Sequence, residues 1–324
     1  MKKPIAAIAC LLTLFSVNAL FAADQRSADQ RSADQQAADS RSAAKLKIGI
    51  LPDLDSLPIL AGLRDGLYQS AGVTVELVSF KNPVERDAAF QAGTLDGIVS
   101  DTLGAVFSCL GGGDGVIVSV TTGRYGLAAS PKSGCASIRD LAGKNIGISS
   151  NTVIEYVAST LMTEAGVPSE AFHSLAVAQM PVRLELLLAD TLPGACLPEP
   201  LYSIAVSRGA IPLGDSGSLS GAPGVLMFTR ASVKDKKAEL SLFFGSYQKE
   251  CARINANPEN YRALLVESVG VPENLKGSFK FVTYEMPRLP RPDEIDLVTK
   301  WMLGKKLISR IPSYGELTAS LVIQ

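Results

Sequence analysis

From residue 45 onward the chain switches repeatedly between short apolar runs and stretches with helical spacing, and a polar junction stands at each switch. Residues 46–51 (LKIGIL) end at Pro52-Asp53-Leu54-Asp55-Ser56, and the next stretch carries Pro58, suited to a helix's first turn. Residues 73–78 (VTVELV) alternate as a strand does. Asn82-Pro83-Val84-Glu85 then supplies a cap, a first-turn proline and a carboxylate near the positive helix end, and Gly93 stops that helix. Residues 95–100 are again strand-like, and Asp101 or Thr102 caps the next helix. After a further strand over 116–122 the pattern restarts. Residues 144–149 form a strand, Ser150-Asn151-Thr152 a junction, and Ile154, Val157, Ala158, Leu161, Met162 and Ala165 share one helical face. Thr152 and Glu155 have capping-box spacing. Pro181 opens another helix, 194–197 is a short strand, and Pro198-Glu199-Pro200 precedes a helix over 201–209.

Strands alternating with helices predict parallel sheets covered by helices on both faces. Two such runs, 45–122 and 123–211, predict an α/β fold of two lobes, and 324 residues at 47% hydrophobic content can bury two cores. From about Val225 one strand is followed by helices over 233–255, 258–268 and 293–303. Their simplest packing is back on the first lobe, which makes that lobe discontinuous. The expected organisation is 45–123 with 220–324 as lobe 1 and 124–219 as lobe 2. Crossing segments are expected near 122–126 and 211–225.

The N-terminus reads as an address. Lys2-Lys3, an apolar run over 4–17 and Ala19-Leu20-Phe21-Ala22 form a secretory signal peptide with cleavage after Ala22. The run is short for an uncleaved anchor. A lipidation site at Ala7-Ile8-Ala9-Cys10 is an alternative, but only a short apolar stretch precedes Cys10 and apolar residues come after it. Residues 23–44 repeat a degraded Ala-Asp-Gln-Arg-Ser unit with no apolar face, and read as a flexible low-complexity leader. A periplasmic location follows from the signal peptide. A net charge of −1 without a basic face argues against nucleic acid.

Cys109, Cys135, Cys196 and Cys251 are far apart, so a metal cluster is not expected; disulfides and buried thiols both remain open. His173 is the single histidine and lies in a loop-like stretch, as a surface or capping residue. Gly111-Gly112-Gly113-Asp114-Gly115 lacks the Lys-Ser/Thr of a phosphate loop and precedes a strand, so it reads as a turn.

Open α/β sheets bind ligands beyond the carboxyl ends of their strands, where helix N-termini offer free N–H groups. The four junctions should therefore line one crevice. The candidates are Asp53, Asp55, Ser100, Asp101, Thr102, Ser149, Asn151, Thr152 and Glu199, with Arg124 just past the strand that leads toward the second lobe. For each Ser, Thr and Asp the alternative is helix capping alone. The excess of carboxylates favours a solute with an amine or several N–H donors, while Arg124 leaves room for a carboxylate or sulfonate. Tyr125 and Tyr156 could stack on a flat solute or simply pack.

These residues resemble a known group. "LKIGILPDLDSLPILAGLRDGLYQSAGVTVELVSF" and "ERDAAFQAGTLDGIVSD" are similar to the first segment of periplasmic solute-binding proteins of the nitrate/sulfonate/taurine/thiamine-precursor (riboflavin/pyrimidine) group. "IRDLAGKNIGISSNTVIEYVASTLMTEAGV", "CLPEPLYSIAVSRGA" and "IPSYGELT" extend the resemblance to most of the chain. It implies a type II periplasmic-binding-protein-like fold with two crossing strands. It also implies a monomer without cofactor that closes around a small-molecule solute and delivers it to an ABC-type membrane permease, with the ten candidate positions as ligand contacts. Two rivals share the fold. One is a cytosolic-type enzyme of pyrimidine or menaquinone-precursor synthesis; its pyrimidine-forming members rely on a cysteine-rich motif and a sacrificial histidine that are not seen here. The other is a binding lobe for a membrane sensor.

Overall fold

The apolar runs become strands wherever both faces can be covered. The computed structural model describes residues 45–219 and 224–320. The expected signal peptide, the expected leader, Cys10 and part of the second expected crossing segment lie outside the described residues. In chain order the strands are β1 (Lys45–Ile50), β2 (Thr74–Ser79), β3 (Gly97–Asp101), β4 (Gly115–Val120), β5 (Tyr125–Ala129), β6 (Asn145–Ile148), β7 (His173–Ala176), β8 (Gly194–Pro198), β9 (Ile211–Asp215) and β10 (Gly224–Thr229). The helices used below are α1 (Leu57–Arg64), α2 (Leu67–Ala71), α3 (Pro83–Gln91), α4 (Thr102–Leu110), α5 (Val153–Glu164), α6 (Met180–Leu188), α7 (Leu201–Ser207), α8 (Arg230–Asp235), α9 (Lys237–Ala256), α10 (Pro292–Gly304) and α11 (Tyr314–Leu317).

The strands form two five-stranded sheets, in the orders β2-β1-β3-β10-β4 and β7-β6-β8-β5-β9. The two orders are equivalent place by place, and in each the fourth strand is the one that the chain enters directly from the other sheet. Strand β10, which follows the second sheet in sequence, enters the first sheet between β3 and β4. Strand β5, which follows the first sheet in sequence, enters the second between β8 and β9.

This corrects the expectation of purely parallel sheets. The pairs β1–β3, β6–β7 and β6–β8 are parallel, but β10 runs antiparallel to β3 and β4, and β5 antiparallel to β8 and β9. A strand that arrives straight from the other sheet enters from the opposite end, without a crossover helix to turn it round. Three strands were not anticipated. All five residues of β5 are buried, so it shows no alternation. Strand β7 is a four-residue exposed edge that turns the presumed loop at His173 into sheet. Strand β9 carries Pro212 and Gly214, which an edge tolerates.

The first sheet is covered by α1, α2 and α9. Tyr68 stacks on Phe243 at 5.1 Å between ring centres, and Phe228, Phe244 and Tyr247 complete that aromatic core. The predicted apolar face of α5 packs against the second sheet. Helix α10 differs from α9. Its Ile295, Val298 and Met302 share one buried cluster with Leu103 and Val106 of α4 and with Tyr156 and Val157 of α5. Trp301 meets Tyr156 edge-on at 5.5 Å and donates its indole N–H to Ser159 Oγ at 3.1 Å. The apolar stripe of α10 therefore covers elements attached to both sheets.

Local capping is mostly as the junctions imply. Asn82 accepts from the Glu85 N–H, and Asp101 from the Gly104 N–H. The box at Thr152 is displaced by one residue. Thr152 Oγ1 accepts from the Ile154 N–H, but Glu155 reaches past the cap to the Asn151 N–H at 2.8 Å and pairs with Lys305 at 3.3 Å. Residues 111–114 turn into β4. The four cysteines among the described residues are free thiols. No helix among the described residues is long and apolar enough to cross a membrane.

Candidate functional site

Strand polarity brings the junctions together. Strands β1, β3, β6 and β8 all end toward one region between the sheets. A cavity there is lined by Asp53, Asp55, Ser100 and Asp101 from the first half and by Ser149 and Thr152 from the second. Its volume, as room for the centre of a water-sized sphere, is about 30 Å³, so its walls stand close. Asn151 lines a neighbouring cavity of about 60 Å³, which also touches Ser100, Asp101 and Thr152. Three candidates lie elsewhere. Thr102 begins α4 beside the cavity, buried. Glu199 faces α7. Arg124 lines a more polar cavity of about 420 Å³ against the crossing segments, with Thr121, Ser216, Arg288 and Arg291.

Each carboxylate is engaged by the protein itself. Asp53 accepts from the Ser56 N–H at 3.1 Å and the Ser56 hydroxyl at 2.9 Å, which shapes the turn into α1. Asp55 accepts from Thr121 Oγ1 at 2.6 Å and from the Tyr125 hydroxyl at 2.7 Å, so a loop after β1 grips the first crossing segment and the start of β5. Gly123 and Gly224, one near each crossing, make room for this grip: a β-carbon on either would fall within 2.6 Å of the Asp55 carboxylate. Glu199 accepts from both the N–H and the hydroxyl of Ser203, closing the first turn of α7.

Asp101 spans the two halves. Its Oδ1 accepts from the Gly104 N–H of its own helix at 2.8 Å. Its Oδ2 accepts from the Val153 N–H at the start of α5, at 3.1 Å. One carboxylate thus satisfies free N–H groups of a helix on each sheet.

Burial sets the protonation of these groups. Loss of water is the largest cause for all four, and it raises Asp53, Asp55, Asp101 and Glu199 above the usual carboxylate range. For Asp53 the neighbouring Asp55 adds to the rise, while Ser56 and Arg86 oppose it. For Asp101, Arg86 is the first opposing influence.

Two buried arginines that the junction rule missed support the cavity, one on its wall and one behind Ser149. Arg86 lines the cavity and is buried, donating to the Val99 carbonyl at 2.8 Å and to Ser100 Oγ at 3.1 Å. Arg183, fully buried, donates to Ser149 Oγ at 2.8 Å and to the Val177 carbonyl at 3.1 Å. The available signal was positional: each arginine comes shortly after a Pro-Val pair at the start of its helix. Tyr125 lines the cavity and donates its hydroxyl to Asp55, and Tyr156 meets Trp301 edge-on. Among the described residues no group of three or more His, Cys, Asp or Glu side chains is placed to hold a metal ion. Donors and acceptors converge on the cavity from both sheets, without a histidine or cysteine among the residues that line it.

Comparison with known proteins places this geometry. Residues 53–260 match the protein family described as NMT1/THI5 like. No curated protein matches the sequence. Among solved structures, the ligand-binding component of an ABC-type import system from Staphylococcus aureus, with zinc bound, superposes with a TM-score of 0.76 at 16% identity, covering 86% of this chain and 97% of that one. The periplasmic aliphatic sulphonate binding protein SsuA from Escherichia coli gives 0.72 at 15% identity, covering 87% and 94%. The desulfurization enzyme DSZB gives 0.64 at 14% identity, covering 85% and 96%. These likenesses establish the fold as that of the periplasmic binding proteins.

Proposed function

The chain belongs to the NMT1/THI5-like family, and from that premise we propose that it is an extracytoplasmic solute-binding protein that closes two lobes around a small organic solute and delivers it to an ABC-type importer. The observation that carries this reading is the Asp101 bridge, a single buried carboxylate that caps a helix on each sheet. Such a contact forms only when the lobes meet, and it lies beside the cavity lined by strand ends of both. Solute entry then requires the lobes to part about the crossing segments near Asp55, and closure restores the bridge. The lobe boundaries that go with this motion are 45–123 with 220–324, and 124–219. Secretion through the signal peptide, a monomeric state and a permease partner complete the proposal. The likeness to import-system binding components supports it. An enzyme of the same fold is the alternative, and a binding lobe for a membrane sensor is a second one.

The test is thermal unfolding of the mature protein, unfolded and refolded beforehand, against pyrimidines, thiamine, flavins, sulfonates and amino acids. A bound solute at a hundredfold its dissociation constant adds about 2.7 kcal/mol, an upward shift of several degrees. One saturable hit that is recovered chemically unchanged supports a binding protein. Conversion of the hit to a product supports the enzyme. No hit anywhere refutes the solute-binding reading.

A further inference from the structure

The same helix in each half of the molecule carries a buried arginine at its fourth position. Arg86 is the fourth residue of α3, which leads from β2 to β3; Arg183 is the fourth residue of α6, which leads from β7 to β8. These strands hold equivalent places in the two sheet orders. Each guanidinium donates to a backbone carbonyl and a strand-end serine, Arg86 to Val99 and Ser100 and Arg183 to Val177 and Ser149, and Arg86 donates besides to the Asp87 carboxylate at 2.8 Å. Both serines are buried, and both line the cavity from opposite sheets.

A guanidinium is a donor only, so each contact occupies a serine lone pair and leaves the hydroxyl proton to be given elsewhere. Among the described residues neither serine hydroxyl donates to anything. The acceptors of the cavity are in the opposite condition, since Asp53, Asp55 and Asp101 each already accept two hydrogen bonds. Arg183 adds positive charge behind its serine. Its Nε and Nη2 are buried without a partner among the described residues, and no carboxylate there pairs with it. Burial pulls its guanidinium down to about 10, which leaves it charged at neutral pH.

We infer that Arg86 and Arg183 are positioning residues that hold Ser100 and Ser149 as hydrogen-bond donors on the two walls of the cleft, so that closure selects a solute presenting an oxygen acceptor to both. The inference rests on the solute-binding reading and opposes an amine as the group gripped between the walls.

Calorimetric titration of the full chain with butanesulfonate, butyrate and butylamine tests it, together with Ser149→Ala, Arg183→Met and the double variant. Butanesulfonate or butyrate should bind at least about tenfold more tightly than butylamine, and Ser149→Ala should weaken the acceptor probe by about tenfold or more. Because Arg183 acts through Ser149, the double variant should bind no more weakly than Ser149→Ala alone, whereas a purely structural role for Arg183 would make the losses add. Arg183→Lys, which keeps a donor, should restore most of the affinity; it also carries the test if Arg183→Met does not fold. A preference for butylamine, additive losses, or binding of neither acceptor probe would overturn the inference. In each of these outcomes a hit from the broader panel would leave the solute-binding reading standing.

Discussion

Replacing Gly123 with alanine puts the Asp55 grip on the first crossing segment to a quantitative test. A β-carbon there would lie 1.9 Å from Asp55 Oδ2 and 2.6 Å from its Cγ, with the Tyr125 hydroxyl at 2.9 Å. Ordinary contact needs about 3.5 Å, so the carboxylate must retreat by roughly 1.5 Å. That movement breaks the 2.7 Å bond from Tyr125 and strains the 2.6 Å bond from Thr121. Hydrogen bonds to a charged group contribute about 1.5–3 kcal/mol each. Burial already favours the neutral form of Asp55, which puts these two at the low end. Gly123→Ala should therefore cost about 2–4 kcal/mol, read as a lower urea midpoint with an unchanged slope. In an Asp55→Ala background the same substitution should cost less than about 1 kcal/mol, because the obstacle is gone and only the mobile end of Tyr125 must yield. Equal costs in the two backgrounds would refute the reasoning and make Gly123 a purely backbone requirement.

The same contacts set further outcomes. Asp101→Ala removes one cap from α4 and one from α5, and should lower stability by about 1–4 kcal/mol in urea unfolding while weakening any solute found in the panel; a variant as stable as the parent would show that the bridge contributes nothing. Asp53 is held above the usual carboxylate range, so across the interval from about pH 4 up to its folded value the native state binds a proton that the unfolded chain has released. Stability from this group is complete below about pH 4 and is lost as pH rises, with a limiting slope near 1.4 kcal/mol per pH unit; Asp53→Asn should flatten that part of the profile, and an unchanged profile would count against it. Burial pushes the Cys196 and Cys251 thiols up to about 12, so both should resist iodoacetamide at pH 8 in the native protein while half-buried Cys109 is modified first, as read by mass spectrometry. Early alkylation of Cys196 would contradict the packing of β8.

What the sequence made legible was set by chain direction. A strand followed by a polar junction and a helix leaves little choice about which end of the sheet the junction occupies. That is why Asp53, Ser100, Asp101, Ser149 and Thr152 could be placed at one crevice by spacing alone. Side-chain reach was not legible in the same way. Arg86 and Arg183 look like ordinary charged residues near a helix start, and only the three-dimensional path from a helix to a strand end reveals what they support. Glu199 misled for a related reason. Its placement between two prolines is rigid, but the rigidity serves the next helix turn and not the cavity. Strand β5 was hidden because complete burial erases alternation, and β7 because a short exposed edge carries little pattern.

The late fourth strand of the first sheet bears on how the chain can fold at all. The first sheet has a gap between β3 and β4 until β10 fills it, and β10 lies after the whole of the second sheet in sequence. A nascent chain that stops short of residue 224 holds two unpaired strand edges side by side, a template for pairing with a neighbouring molecule. The first sheet cannot be completed early and stored, whereas all five strands of the second are present once residue 215 has emerged. The first sheet should therefore acquire its final structure late, after the second, with a folding rate slowed by contacts that wait for distant sequence.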